Sequence, residues 1–271
     1  MNSMQEFTSP QGIYYRTNAW QAGRPTLVFM HGLSGSSSAW LPHEKVFVDT
    51  HNILSFDLRG HGKSLKYKAY DAYRIANFAD DLYALIEFLG IKKFILVTHS
   101  FGCLIALEFL AKHQDRVSAA VLLSPSYSVF TNPLAKIGRP LLALSRLFSL
   151  LPFRPRPGYH VDYTSLHNAR DWDIKMTYGD VRCTTLRIYL YCSRQALFVD
   201  YTNLLEHITI PTLLVQGEHD SIFPLENSRI MAEKIPHAQR VVLNDADHII
   251  VVNHTPRILK IITPFIKEHS V

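Results

Sequence analysis

From Pro25 onward, short apolar runs rich in β-branched residues alternate with longer stretches of helical period, and this alternation leaves few folds open to the chain. The runs are Thr26–Met30, Ile53–Phe56, Phe94–Val97, Ala119–Leu123, Thr212–Val215 and Arg240–Leu243. Apolar side chains at successive positions, not every second one, mark strands buried on both faces. The pattern therefore predicts an α/β fold: a mostly parallel sheet flanked by helices. Between two of the runs, Ile75, Phe78, Ala79, Leu82, Leu85, Ile86 and Leu89 recur at helical spacing, which predicts an amphipathic cover helix ending at Gly90. A length of 271 residues suits one such domain, with or without an inserted lobe, better than two independent ones.

The alternation breaks between about Tyr127 and Glu206, where several short helices are expected instead of strands. The organisation read from this is a core in two parts, residues 1–126 and 207–271, interrupted by a helical lobe over 127–206. The first part of the lobe is strongly apolar but broken by Pro140 and Pro152, and Arg154-Pro-Arg-Pro-Gly158 cannot continue a helix.

Ser100 is the most informative single residue. It stands where the run Phe94-Ile-Leu-Val-Thr-His99 meets a second apolar stretch, Phe101-Gly-Cys-Leu-Ile-Ala-Leu-Glu-Phe109. A sharp strand-to-helix turn there lifts Oγ above the sheet edge and puts the Phe101 N–H at a helix start, where it can hold an oxyanion. Gly102 meets the need for a small residue on one side of the turn; Thr98 stands where the G-x-S-x-G pattern has its first glycine. A helix N-cap serine is the plainer reading of the same residue. The other serine cluster, Gly35-Ser-Ser-Ser-Ala39, follows no apolar strand directly and is read as loop and helix cap.

His31-Gly32-Leu33, Asp57-Leu-Arg-Gly-His-Gly-Lys-Ser64, His99-Ser100-Phe101-Gly102, Gly217-Glu-His-Asp220 and Asp247-His248 occur in the order and approximate spacing of the α/β-hydrolase family, which the chain resembles outside its first twenty or so residues and the insertion. The resemblance is to serine carboxylesterases and monoacylglycerol lipases with a helical lid inserted after the sixth strand. It implies Ser100 as nucleophile, His248 as general base and Asp220 as the acid that orients the base. The amides of Leu33 and Phe101 would form the oxyanion hole, and no cofactor or metal would be needed.

A serine nucleophile needs a base, and the base a group that fixes its tautomer. His248 follows the last strand and precedes the final helix, whereas His31, His61, His99 and His219 break the Ser…Asp…His order and are assigned to loop hydrogen bonding. Glu218 is the near rival of Asp220 and could instead hold the turn. Asp57, Asp245 and Asp247 are read as turn chemistry. Gly62-Lys63-Ser64 resembles the end of a phosphate loop, but Asp57 stands where its first glycine belongs. The histidines show no zinc-ligand spacing.

The single glycine of Met30-His-Gly-Leu33 followed by a bulky residue resembles hydrolases of medium or long acyl chains. The family's inserted lobe usually lies over the serine. Here Leu141, Leu142, Leu144, Leu147, Phe148, Leu150, Leu151 and Phe153 are interleaved with or flanked by Lys136, Arg139, Arg146, Arg154 and Arg156. Such a surface suits weak contact with an acyl chain or lipid interface; equally, the leucines would pack the lobe onto the core.

A net charge of +5 is spread along the chain, so an ester or lipid-like small molecule, not nucleic acid, is the expected partner. Oligomeric state has no signature in the sequence. Three cysteines without paired spacing, a polar Met1–Asn18 stretch and no apolar run of bilayer length favour a soluble cytoplasmic protein. The reading is thus a carboxylic ester hydrolase. Two rivals stay open: a carbon–carbon bond hydrolase with the same triad, and a non-catalytic ligand-binding protein of the same fold.

Overall fold

The computed structural model describes residues 3–128, 144–155, 158–163, 171 and 173–270. Eight strands form one sheet: β1 (Gln5–Thr8), β2 (Tyr14–Thr17), β3 (Thr26–Met30), β4 (Asn52–Phe56), β5 (Phe94–His99), β6 (Val117–Leu123), β7 (Thr212–Gly217) and β8 (Ala238–Leu243). Their order is β1-β2-β4-β3-β5-β6-β7-β8. The strands from β3 to β8 pair in parallel, and the β1–β2 hairpin adds on antiparallel beside β4. All six predicted runs lie within strands. The hairpin was not anticipated.

Described helices are α1 (Leu41–Phe47), α2 (Ile75–Phe88), α3 (Phe101–His113), α4 (Ile174–Thr184), α5 (Leu186–Phe198), α6 (Leu225–Lys234), α7 (Ile250–Asn253) and α8 (Thr255–Glu268). Side chains of successive strand residues face opposite sides of the sheet, and this splits the core in two. Val28, Met30, Leu54, Phe56, Leu96 and Leu122 face α2 and α3. Leu27, Phe29, Ile53, Val97, Val121 and Val215 face Trp40, α7 and α8. Helix α2 buries Ile75, Phe78, Ala79, Leu82, Leu85 and Ile86, the expected stripe. Gly90 follows it at φ 69°, in the left-handed conformation that ends a helix without a Cβ clash.

Strand β4 lies on one side of β3 and β5 on the other, so the sheet changes its direction of growth between them. Open α/β sheets place ligands at such a switch, outside the carboxyl ends of the strands. Leu33 follows β3 and Ser100 follows β5. These strands are adjacent, with Met30 beside Thr98.

Between β6 and β7 the described chain holds helices and loops, with a single bridge between Ser128 and Asp200 and no strand of the sheet. Phe148 and Phe153 pack against the core. Leu144, Leu147, Leu150 and Leu151 are exposed, so this apolar stretch divides its side chains between core and surface. Leu141, Leu142, Lys136, Arg139, Pro140 and Arg156 lie outside the described residues. Among the described residues no helix is long and apolar enough to cross a membrane.

Candidate active site

Ser100 joins β5 to α3 with φ 54° and ψ −117°, a region that side-chain-bearing residues rarely enter. It stands at the N-cap position of α3 but makes no side-chain cap, so the plainer reading of this serine is not what the structure holds. The turn is tight because α3 begins hard against the end of β3. A Cβ on Gly102 would come within 2.7 Å of the His31 carbonyl oxygen, and one on Gly32 within 3.1 Å of the Ser100 Cβ. Thr98, in place of the usual glycine, is fully buried without disturbing the strand: it keeps register with Met30 and Leu122. Its hydroxyl donates to the Cys103 sulfur at 3.2 Å.

Ser100, His248 and Asp220 are brought together from three strand ends. The Ser100 Oγ lies 2.6 Å from His248 Nε2, and His248 Nδ1 lies 2.9 Å from both carboxylate oxygens of Asp220. All three residues are buried. Asp220 Oδ1 also accepts from the Ile222 and Phe223 amides at 3.0 and 2.8 Å, and Gln216 donates to Oδ2 at 3.3 Å.

Burial pushes the Asp220 carboxyl upward, but the charge and hydrogen bond of His248, with the Phe223 and Gln216 donors, hold it below the usual carboxylate range. Burial likewise pushes His248 downward. It is outweighed by the charge and hydrogen bond of Asp220 and the charges of Asp171 and Asp247, so this imidazole sits above the ordinary histidine value. The Asp220 carboxyl is thus ionised at neutral pH and the His248 imidazole more basic than a free one.

Leu33 follows Gly32 and Phe101 follows Ser100 directly, and the amides of both donate to no described residue. Phe101 begins α3, where a backbone N–H has no intrahelical acceptor. A cavity of about 40 Å³ beside this loop, bounded by His31, Leu33, His99, Tyr163, Ile249 and Val252, has room for a water but not for an acyl chain.

The other motif residues have structural duties. His31 Nε2 accepts from the Leu58 amide at 3.0 Å while Nδ1 donates to the Gly32 carbonyl at 2.7 Å. His61 Nδ1 donates to the Arg59 carbonyl, and burial drives its value down to about 3. His99 Nε2 donates to the His248 carbonyl at 3.0 Å, and His219 is exposed. Glu218 accepts from the Asp245 amide at 3.2 Å, holding the turn as its alternative role required. Asp247 accepts from the Ile249 amide at 3.1 Å. Ser36 bonds Ser38 instead of capping the short helix that follows, which corrects the helix-cap reading of that cluster.

Asp57 does more than shape a turn. Its buried carboxylate accepts from the Ser37 amide at 2.7 Å, the Lys63 amide at 2.8 Å and His160 Nε2 at 2.9 Å. Burial raises its value, but the bond and charge of His160 outweigh it and hold the group at about 2. Gly62, at φ 46°, is required there because a Cβ would come within 2.1 Å of Asp57 Oδ2. His160 thereby ties the chain between β6 and β7 to the loop after β4. Neither it nor Asp171, whose side chain reaches the backbone of His248 at 2.8 Å, was singled out by sequence reasoning. Among the described residues, Glu218, His219 and Asp245 offer ligand atoms within 4.8 Å of one another, but all three are exposed.

The family model described as alpha/beta hydrolase fold matches residues 25–153 and 159–255. The non-heme chloroperoxidase CPO-A1 of Kitasatospora aureofaciens is 30% identical over 265 residues, covering 89% of this chain and 90% of that protein. The proline iminopeptidase PfmaB of Pestalotiopsis fici is 27% identical, covering 87% and 89%. Among solved structures, a thermophilic esterase from Thermogutta terrifontis superposes with a TM-score of 0.73 at 21% identity, covering 99% of this chain and 100% of that one.

Proposed function

Because this chain belongs to the alpha/beta hydrolase fold family, we propose that it is a serine hydrolase cleaving carboxylic esters through an acyl-enzyme on Ser100. The observation that carries the reading is the continuous line from Ser100 Oγ through both nitrogens of His248 to Asp220, at 2.6 and 2.9 Å. In this mechanism His248 Nε2 takes the Ser100 proton as Oγ attacks the ester carbonyl. The Leu33 and Phe101 amides hold the oxyanion, and the proton passes to the leaving alcohol. Water then opens the acyl-enzyme with the roles reversed. The names of the relatives span different chemistries, so the shared scaffold alone does not select the leaving group.

Medium or long acyl chains are the proposed substrates, with the insertion over 127–206 acting as a lid. In support, Leu144, Leu147 and Leu150 are 60, 58 and 79% exposed at the three-residue spacing that aligns side chains on a 3-10 helix. Arg146 lies in the same helix but off this row, its guanidinium over the Tyr70 ring and 3.9 Å from Asp71, and Arg154 lies just beyond the helix. Such a face suits weak contact with a lipid surface. Making Leu147 and Leu150 polar should lower turnover of an aggregated ester but not of the dissolved one; equal loss on both would end the lipid idea.

The experiment that tests the main reading runs p-nitrophenyl esters of increasing chain length on wild type and Ser100→Ala, alongside fluorophosphonate labelling. Labelling of Ser100 and ester turnover that falls about five to six orders of magnitude in the variant are expected. Label without turnover would favour carbon–carbon cleavage by the same triad. Folded protein without label would favour a ligand-binding role.

A further inference from the structure

His248 is held at every polar atom, and one holder comes from the β6–β7 insertion. Its carbonyl accepts from Ser124 Oγ at 2.8 Å and from His99 at 3.0 Å, both on the core. Its backbone N–H donates to Asp171 Oδ1 at 2.8 Å, across 77 positions of chain. The second oxygen of the same carboxylate accepts from the backbone N–H of Ser221 at 3.0 Å and its hydroxyl at 2.8 Å. One half-buried side chain thus spans the base and the residue after the acid.

The two loops do not need Asp171 to meet. The His219 amide already donates to the Ala246 carbonyl at 2.8 Å, and a Cβ on Gly217 would come within 2.2 Å of the Asp247 carbonyl oxygen. What the carboxylate adds is a fixed direction for the His248 backbone, through charge-assisted bonds, and one more negative charge beside the imidazole.

We propose that Asp171 is a positioning residue, whose carboxylate, bonded to the β7 and β8 loops at once, holds the His248 backbone in the direction the triad needs. The inference rests on the serine-hydrolase reading of Ser100 and His248. Among the described residues three carboxylates act on His248, Asp220, Asp171 and Asp247, and all favour its charged form; the neighbouring His99 ring is lowered by burial and by the charge on His248. Burial keeps His99 itself neutral, at about 3. Loss of the Asp171 charge should therefore be visible in the titration of His248.

The decisive variant is Asp171→Asn, of equal size, which removes the charge and turns an amide N–H₂ toward the donors of Ser221 or His248. The His248 Cε1–H resonance, identified by its absence in His248→Gln, is followed through pH in wild type, Asp171→Asn and Asp171→Glu. Rates on p-nitrophenyl acetate are measured beside it, with Ser100→Ala as the blank. In Asp171→Asn the midpoint should fall by about half a unit. Its kcat should fall about tenfold, with KM within about twofold of wild type. Asp171→Glu should recover most of the midpoint.

An unchanged midpoint and kcat would overturn the proposal, as would a loss confined to KM for long-chain esters, which would make the segment a substrate wall only. If wild type shows no Ser100-dependent turnover, the hydrolase reading fails by itself, and the titration still decides whether Asp171 acts on His248. Should Asp171→Asn lose its near-UV circular dichroism, Ser221→Ala, which strips one of the three bonds, carries the test through a smaller fall in kcat.

Discussion

Ser100 holds a backbone conformation that costs about 1–3 kcal/mol, and the close contacts of Gly32 and Gly102 keep it there. Adding a methyl group by Gly102→Ala should therefore cost about 1–3 kcal/mol and slow labelling of Ser100, read by urea denaturation and fluorophosphonate kinetics. Thr98→Gly tests the turn from the other side. It restores the pattern's glycine yet removes a fully buried side chain bonded to Cys103, so a loss of about 1–3 kcal/mol is expected with labelling retained. At His248 the pH sign is fixed by which form works. In the proposed mechanism only the neutral imidazole takes the serine proton, and Asp220 holds its value above 6.5, so kcat/KM should rise with pH through a midpoint above 6.5. The stability this histidine contributes runs the opposite way: it is complete below 6.5 and is lost as pH rises through the folded value. Asp220→Asn should lower that midpoint and cut kcat about 10⁴-fold in the same pH series.

Strands β3 to β7 were legible because a strand covered on both faces has to spell itself in consecutive apolar residues; Leu27, Val28, Phe29 and Met30 are all fully buried, whereas the edge strand β8 is partly exposed and showed only its Val241-Val242-Leu243 end. The hairpin was not, because β1 is exposed along its whole length and carries no such run. Its trace was turn chemistry, Ser9-Pro-Gln-Gly12 ahead of Tyr14-Tyr15, with Gly12 at φ 78°. Ser100, Asp220 and His248 could be read since each follows a strand by a short turn. Asp171 and His160 could not, because their partners lie 77 and 103 residues away and no local pattern marks them. What fastens β2 to the body is equally non-local: Arg16 pairs with Glu44 of α1 at 2.6 Å and donates to the Ser37 carbonyl at 2.8 Å, both charges buried. Glu44→Ala leaves a buried guanidinium without its counter-charge and should cost about 3–5 kcal/mol in urea unfolding. The double variant Arg16→Met, Glu44→Leu should cost much less, because desolvation of both charges is relieved together.

Fourteen histidines in one chain give the whole molecule an acid sensitivity that no single site sets. His43, His61 and His99 are buried and held neutral, each pushed down to about 3 chiefly by loss of hydration, and His31 is lowered for the same reason. His43 shows the cause most simply, since neither ring nitrogen has a hydrogen-bond partner among the described residues. Unfolded, these rings bind protons near pH 6.5; folded, they refuse them until about 3, so the unfolded state gains stability as pH falls through that window. Each fully withheld proton contributes about 1.4 kcal/mol per pH unit, and three together about 4. Two units of acidification then cost about 8 kcal/mol, as much as the lower part of the usual 5–15 kcal/mol range. Asp57, held at about 2, and Asp220, held low, contribute stability above the ordinary carboxylate value, which is lost only at still lower pH. Unfolding free energy from urea titrations should therefore fall steeply between about pH 6 and pH 4, with a net uptake of about three protons. His43→Leu should flatten that slope by about 1.4 kcal/mol per unit while leaving the pH dependence of ester turnover in place, since His43 packs edge-on against Trp40 and makes no hydrogen bond to Ser100, His248 or Asp220. A slope that His43→Leu does not change would mean that this ring is protonated in the native state.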